Sequence, residues 1–388
     1  MHCQFTGREN EMSDGKRPTI RSKRESGIES LRLFAMFLIM LNHFPWITQH
    51  NFAGCFANNL LSMWGGVGDC VFFMISTWFL CTEDGDIHKS FRRAWILERQ
   101  ILFCSLVLFA TTFAMYICQS APYAGLGLKG MLLLGVHALF PAVTFLWWYP
   151  SNYIIFLLLY PWLIRGLRSL GQQMHKKLVM LLLISCSIYP LISDTIRYSF
   201  IFFIYIFILL SYFRWYHQEI LSSQKNACCL IVIGLAVSIF TALSLSFIAP
   251  AHAAAYANNP FLFPSLFVSS GLMIIFTNIR GFHSVIINKF AASTLSCYLF
   301  ITYPHASQII THYLKTLMQN QNLLTTLGIE ILCVIVLFIS ILLIDFMRQY
   351  LFVCLLDSRG RKGKWFESLW GFGTKIVPQR LSAKCKHR

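Results

Sequence analysis

Long apolar runs alternate with short polar segments along almost the whole chain, each run near the ~20 residues that an α-helix needs to cross a bilayer. The first is IESLRLFAMFLIMLNHFPW, from Ile28 to Trp46, apolar from Leu31 to Phe44 apart from Arg32, Asn42 and His43. Further spans are expected at 64–80, 99–118, 145–164, 178–192, 198–215, 227–248, 261–277, 290–312 and 323–346. The second is short and interrupted by Asp69. The stretch from Gly130 to Phe140 is too short to span and reads as interfacial or re-entrant. The pattern predicts an all-α, polytopic membrane helix bundle of about ten transmembrane helices.

Composition agrees with this class: 56% of residues are hydrophobic, only 12% are charged, and mean hydropathy is +0.59. The net charge of +16 would suit a nucleic-acid binder, but the position of the charges argues otherwise. With the N-terminus in the cytoplasm, all 32 lysines and arginines except Lys129, Arg197 and Lys315 fall on the inner side. That is the bias of the positive-inside rule. Both termini are therefore expected to be cytoplasmic, in a multi-pass protein of the plasma membrane. Most of the net charge serves topology and anionic lipid rather than nucleic acid. The domain plan is a basic leader at 1–27, a membrane domain at 28–350 and a basic tail at 351–388. No cleavable signal peptide is expected, nor room in the tail for a further globular domain. The 13 cysteines lack a paired or metal-binding pattern, so no metal is expected. No Gly-rich phosphate loop and no GxSxG elbow is visible.

The first run carries the chemistry that stands out. Arg32 and His43 lie about 20° apart around a helix, with Glu29 close to the same stripe. Ionisable groups at membrane depth are costly and usually face a bundle interior or wet cavity where they function. For His43, beside Pro45 and Trp46, the other reading is an amphipathic anchor at headgroup level.

In addition to IESLRLFAMFLIMLNHF, the chain reads GVGDCVFFMISTWFL, FLWWYPSNYIIFLLLYPWL, SFIFFIYIFILLSYFRWY and NKFAASTLSCYLF in its second, fourth, sixth and ninth spans. In this order, over about residues 28 to 350, these pieces resemble the integral-membrane acyltransferase 3 family, which transfers acyl groups, usually acetyl, to sugars of cell-surface polysaccharides and related acceptors. The first helix is the most specific of them, with an acidic residue two before a Leu-Arg pair and a His closing the helix. The resemblance makes His43 the catalytic histidine and Arg32 part of the same site. It implies arginines on the cytoplasmic side of the third helix for acyl-CoA, here Arg92, Arg93 and Arg99 in KSFRRAWILERQ. The family's close pair separated by two residues is absent, but Arg92 and Arg99 would share a helical face about 10 Å apart. Two further departures matter. Ser76 is followed by Thr77 where the family has Gly, and Ile301 stands where many members have His. His305, one turn later, is either a substitute for that histidine or an interfacial residue beside Pro304.

The chemistry can be stated without the family. A cytoplasmic thioester with about four negative charges does not cross a bilayer unaided and must meet basic groups on the inner face. Arginine's planar fork suits phosphate. A neutral imidazole can take the proton of an attacking hydroxyl, and Asp69 is a candidate to orient it. The expected function is transfer of an acyl group from acyl-CoA to a hydroxyl of a cell-surface or lipid-linked glycan. Catalytic roles are expected for His43 and Arg32, and substrate contacts for Arg92, Arg93, Arg99, Asp69 and His305. The alternative is a transporter or flippase with His43, Asp69 and Asp345 as a proton relay.

Overall fold

The computed structural model describes residues 25–43, 51–118, 127–188, 199–248, 256, 258–357 and 364–376. The leader to residue 24, the end of the first expected span, loop residues 119–126 and 249–255, residues 189–198 between the fifth and sixth spans, and tail residues 358–363 and 377–388 lie outside them. The described residues form helices and no strand.

In order these are α1 (Ser26–His43), α2 (Phe52–Leu80), α3 (Ile87–Ile117), α4 (Leu128–Leu139), α5 (Trp148–Ile188), α6 (Ile201–Tyr216), α7 (Gln218–Ser222) and α8 (Gln224–Ile248). They continue with α9 (Phe263–Thr277), α10 (Val285–Ala291), α11 (Thr294–Ile301), α12 (Pro304–Met318), α13 (Leu323–Leu351), a π-turn at Phe352–Leu356, and α14 (Lys364–Ile376). Among them, α2, α3, α5, α8 and α13 with its π-turn are long and apolar enough to cross a membrane. The bent pair Val285–Ile301 and Pro304–Met318 adds a sixth if taken as one span. The sixth and eighth expected spans correspond to the shorter apolar helices α6 and α9.

Start signals were local and plain. Asn51, Asp86 and Asn322 cap α2, α3 and α13, each accepting a bond from a backbone amide of the first turn. The structure moves several boundaries, with α2 starting at Phe52 rather than 64 and α3 at Ile87 rather than 99. The fourth and fifth expected spans are two helical stretches within α5 that meet at a kink at Gly171 (φ 70, ψ 170), where glycine takes a positive φ at low cost, and both stretches extend into the polar residues between the expected spans. The ninth expected span is not continuous. Tyr303 before Pro304 is extended (φ −66, ψ 125), as the proline ring requires, and the chain bends by 78° there. His305 therefore sits in the first turn of α12, and its angular relation to Ile301 along a single helix does not hold.

An aromatic core joins α2, α5 and α6: the Phe73 ring lies 5.0 Å from Phe156 and 4.7 Å from Phe203, both edge-on. Polar side chains add bonds between helices, with Ser90 Oγ donating to Leu157 O, Ser105 Oγ to Ala138 O (2.9 Å), Ser269 Oγ to Val67 O (3.0 Å) and Tyr160 Oη to Leu80 O (2.7 Å). Val232, Phe240 and Phe247 of α8 and Leu332, Ile344 and Met347 of α13 are exposed, an apolar rim suited to lipid tails.

Helix α1 packs so closely on α2 that a Cβ at Gly68 would lie 2.8 Å from the Ala35 carbonyl oxygen and nearer still to Ile39. Backbone cannot yield as a flexible side chain does. Gly68→Ala is therefore expected to destabilise the bundle by about 1–3 kcal/mol, as overpacking does, measured as a lower thermal midpoint of the purified protein; an unchanged midpoint would show that α1 can withdraw freely from α2.

Candidate active site

Helix α1 carries ionisable groups at two depths. Toward its start, Arg32 Nη1 donates to Glu29 Oε2 at 2.6 Å, one turn apart on the stripe read from the sequence. Arg32 also lines a cavity of about 350 Å³, together with Ser76 of α2, Arg99 and Gln100 of α3, and Arg348 and Asp357 at the end of α13.

Three guanidinium groups thus face one space, each held by a carboxylate. Arg99 Nη1 and Nη2 donate to the two oxygens of Asp357, both at 2.7 Å. Arg348 Nε and Nη2 donate to Asp345 Oδ1 and Oδ2 at 2.6 and 2.7 Å. The Phe352 ring, in the π-turn, has both the Arg99 and the Arg348 guanidinium 5.2 Å from its centroid. Around the Arg348 pair, Ser296 Oγ donates to Asp345 Oδ1, and Gln349 Nε2 reaches Ser293 Oγ at 2.7 Å and Asp345 Oδ2 at 3.3 Å. Arg99 Nε is buried with no hydrogen-bond partner, so a donor remains after Asp357 has taken two.

His43 closes α1, about 16 Å further along its axis than Arg32. Its ring meets Tyr298 of α11 edge-on at 6.3 Å, and Tyr298 lies 6.1 Å from Tyr149 of α5. The Asp69 carboxylate acts electrostatically on Tyr149 and on Cys70. The His43, Tyr298 and Tyr149 rings thus form a run of neighbours from α1, α11 and α5. Gly65 lets the Asn42 and Asn258 side chains approach α2, since a Cβ there would overlap both. His305 is buried beside Tyr303, ring to ring 6.0 Å, and Tyr303 in turn lies 6.1 Å from Trp147.

The structure divides the expected arginines of α3. Arg99 reaches the cavity. Arg93 makes two bonds to Glu83, and Arg92 Nε lies 3.5 Å from Glu367 of α14. That helix seats on the start of α3: His88 Nε2 is 2.8 Å from Glu367 Oε2, and the Trp370 ring packs against His88 and Phe91. Sequence reasoning missed Arg348, Asp345 in its ion-pair role, Tyr298 and Tyr149. An Asp345-x-x-Arg348 pair at helical spacing near the end of an apolar span was a visible signal. Asp357 offered none, because its partner lies 258 residues away. Among the described residues no three His, Cys, Asp or Glu side chains gather as metal ligands.

These features define a multi-pass helical membrane protein with buried and half-buried ionisable groups at two levels along one helix. The acyltransferase 3 family model, described as an acyltransferase domain, matches residues 25–345, and the chain belongs to that family. No curated protein and no solved structure gives a significant match.

Proposed function

We propose that this membrane acyltransferase transfers an acyl group, acetyl by preference, from cytoplasmic acyl-CoA to a hydroxyl of a cell-surface or lipid-linked sugar, with His43 as general base. In this reading the chain spans the plasma membrane about ten times with both termini cytoplasmic, and residues 28–350 form the catalytic domain. The observation that carries it is the arrangement on α1 of the matched domain: an arginine-lined cavity at one depth, and an imidazole among tyrosines at another. The phosphates of the donor meet Arg32 and Arg99, with Arg348 beside them, and the thioester reaches along α1 toward His43. Neutral His43 takes the acceptor proton as the hydroxyl attacks the thioester carbonyl; the carbon–sulfur bond breaks and the CoA thiolate leaves. Asp69 acts through the tyrosines, and His305 lines the acceptor side.

Purified protein incubated with acyl-labelled CoA and a glycan acceptor is expected to place label on the sugar. Ion-driven solute flux in liposomes without thioester turnover would instead establish the transporter reading. Comparing surface-glycan acetylation between a deletion strain and its parent identifies the acceptor.

The donor contact has its own test. Losing the guanidinium fork at a phosphate removes a charge-assisted bond, so Arg99→Lys is expected to raise the half-saturating acyl-CoA concentration about tenfold. Arg92→Lys and Arg93→Lys, paired away from the cavity with Glu367 and Glu83, are expected to change it little. A shift for Arg92→Lys as large as for Arg99→Lys would move the donor contact to the start of α3.

A further inference from the structure

A second basic cavity lies outside the site described above. It occupies about 610 Å³ at the end of the bundle where α2, α6 and α9 terminate, and its wall includes Trp78, Arg168, Arg214, Trp215, Gln218 and Asn278. Its two arginines differ from those of the first cavity in how they are held.

Arg214 lies over Trp78, its guanidinium carbon 3.4 Å from the ring centroid. One face of the group is therefore covered by indole, and its N–H edges are directed sideways. No carboxylate comes within ion-pair distance of Arg214 among the described residues, although Glu25 acts on it at longer range. Its Nε is buried without a hydrogen-bond partner. Arg168 stands over the neighbouring Trp215 at 5.7 Å, donates to the Glu83 carbonyl oxygen at 2.7 Å, and makes a 3.3 Å ion pair with an Asp84 side chain that is 97% exposed. An exposed pair of that kind contributes little. Trp215 is itself fixed by its Nε1 donating to Cys81 O at 2.9 Å, and Asn278 by Nδ2 donating to Leu221 O and Ile274 O, both at 2.7 Å. The frame is thus held by hydrogen bonds, while Arg214 inside it lacks a contacting carboxylate among the described residues.

A partly buried guanidinium without a carboxylate is costly unless an anion completes it. Stacking on indole leaves the fork geometry intact, and that fork matches the oxygens of a phosphate ester. We propose that this cavity is a second anion site, which binds the phosphate of a phosphate ester through Arg214 and Arg168. The ester comes either from the headgroup of an anionic phospholipid whose leaflet meets these helix ends or from a soluble phosphorylated compound. The cavity shares no lining residue with the one around Arg99, so occupation of one does not require occupation of the other.

The full-length protein is tested in nanodiscs of phosphatidylcholine with and without phosphatidylglycerol, using radiolabelled inorganic pyrophosphate as the soluble probe and native mass spectrometry for retained lipid. The wild type is expected to bind at least one probe. Pyrophosphate binding in lipid lacking phosphatidylglycerol identifies the soluble source; retained phosphatidylglycerol that pyrophosphate does not displace identifies the lipid. Arg214→Gln is expected to weaken whichever binds by about tenfold to hundredfold, the size of a lost charge-assisted contact. Arg280→Gln, on an exposed residue outside the cavity, is expected to leave it unchanged. If Arg214→Gln fails to fold, Arg214→Lys keeps the charge over Trp78 but loses the fork and takes its place, with a smaller loss. The proposal is overturned if the wild type binds neither probe, if the folded Arg214 variant binds both as the wild type does, or if Arg280→Gln weakens binding as much as Arg214→Gln.

Discussion

His43→Ala is expected to abolish acyl transfer, by a factor of about 10²–10⁴ in turnover, while leaving insertion and the thermal midpoint close to those of the wild type. The imidazole is half-buried at the last turn of α1 and contacts the Tyr298 ring at its edge, so its removal takes away one ring contact rather than a core residue. A general base is needed only as the acceptor hydroxyl loses its proton. The loss should accordingly appear in turnover, with the half-saturating donor concentration little changed. His43→Gln, similar in reach but unable to take the proton, should be as inactive as alanine. An interfacial anchor would behave differently, since either variant would then keep turnover near normal and lose only insertion or stability. Radiolabel transfer from acyl-CoA, measured on protein normalised by monodisperse yield, decides between the two.

The largest effect on stability is expected from Asp345→Ala. The Asp345 and Arg348 side chains are 3% and 10% exposed, and they bond through two near-parallel contacts. Removing the carboxylate leaves a guanidinium with its main counter-charge gone, at a cost of about 3–5 kcal/mol for a buried pair broken on one side. It also strands the Ser296 hydroxyl and deprives Gln349 of a partner. Replacing both members, as Asp345→Ala with Arg348→Leu, should recover much of the loss, because no uncompensated charge remains. Thermal unfolding of the detergent-purified variants tests this. A single mutant as stable as the double mutant would mean that Arg348 finds water or lipid phosphate instead.

What the sequence made legible followed from short-range periodicity. Glu29 and Arg32 stood one turn apart on paper and are bonded in the structure, whereas the caps Asn51 and Asp86 start α2 and α3 well before the expected 64 and 99. Helix ends set by a single backbone angle were harder. The kink at Gly171 falls between the two spans expected there, but how far each helix runs into the polar residues was not written in the pattern, and the bend at Tyr303, signalled by Pro304, lay hidden in a long apolar run. The arginines show the limit most clearly. Arg92, Arg93 and Arg99 looked equivalent as a cluster, but what separates them is the acid each one meets: Glu367, Glu83 and Asp357, two of them distant in sequence. Arg214 passed for a topology signal at the end of an apolar segment. Only the tertiary placement of Trp78 beneath it, and of its acids elsewhere, gives it another meaning.

The wiring of the arginine cavity also carries an order in time. One wall comes from α1 to α3 and the other from α10 to the π-turn, joined by Arg99 to Asp357 across 258 residues and by Ser26 to Asn288 across 262. During synthesis the early helices enter the membrane long before the residues of α13 and the π-turn exist, so Arg99 must first be satisfied by water or lipid phosphate reached by its long side chain. The last long helix therefore closes the cavity when it arrives, and a chain halted before residue 345 would hold the stripe of α1 but no chamber beside it.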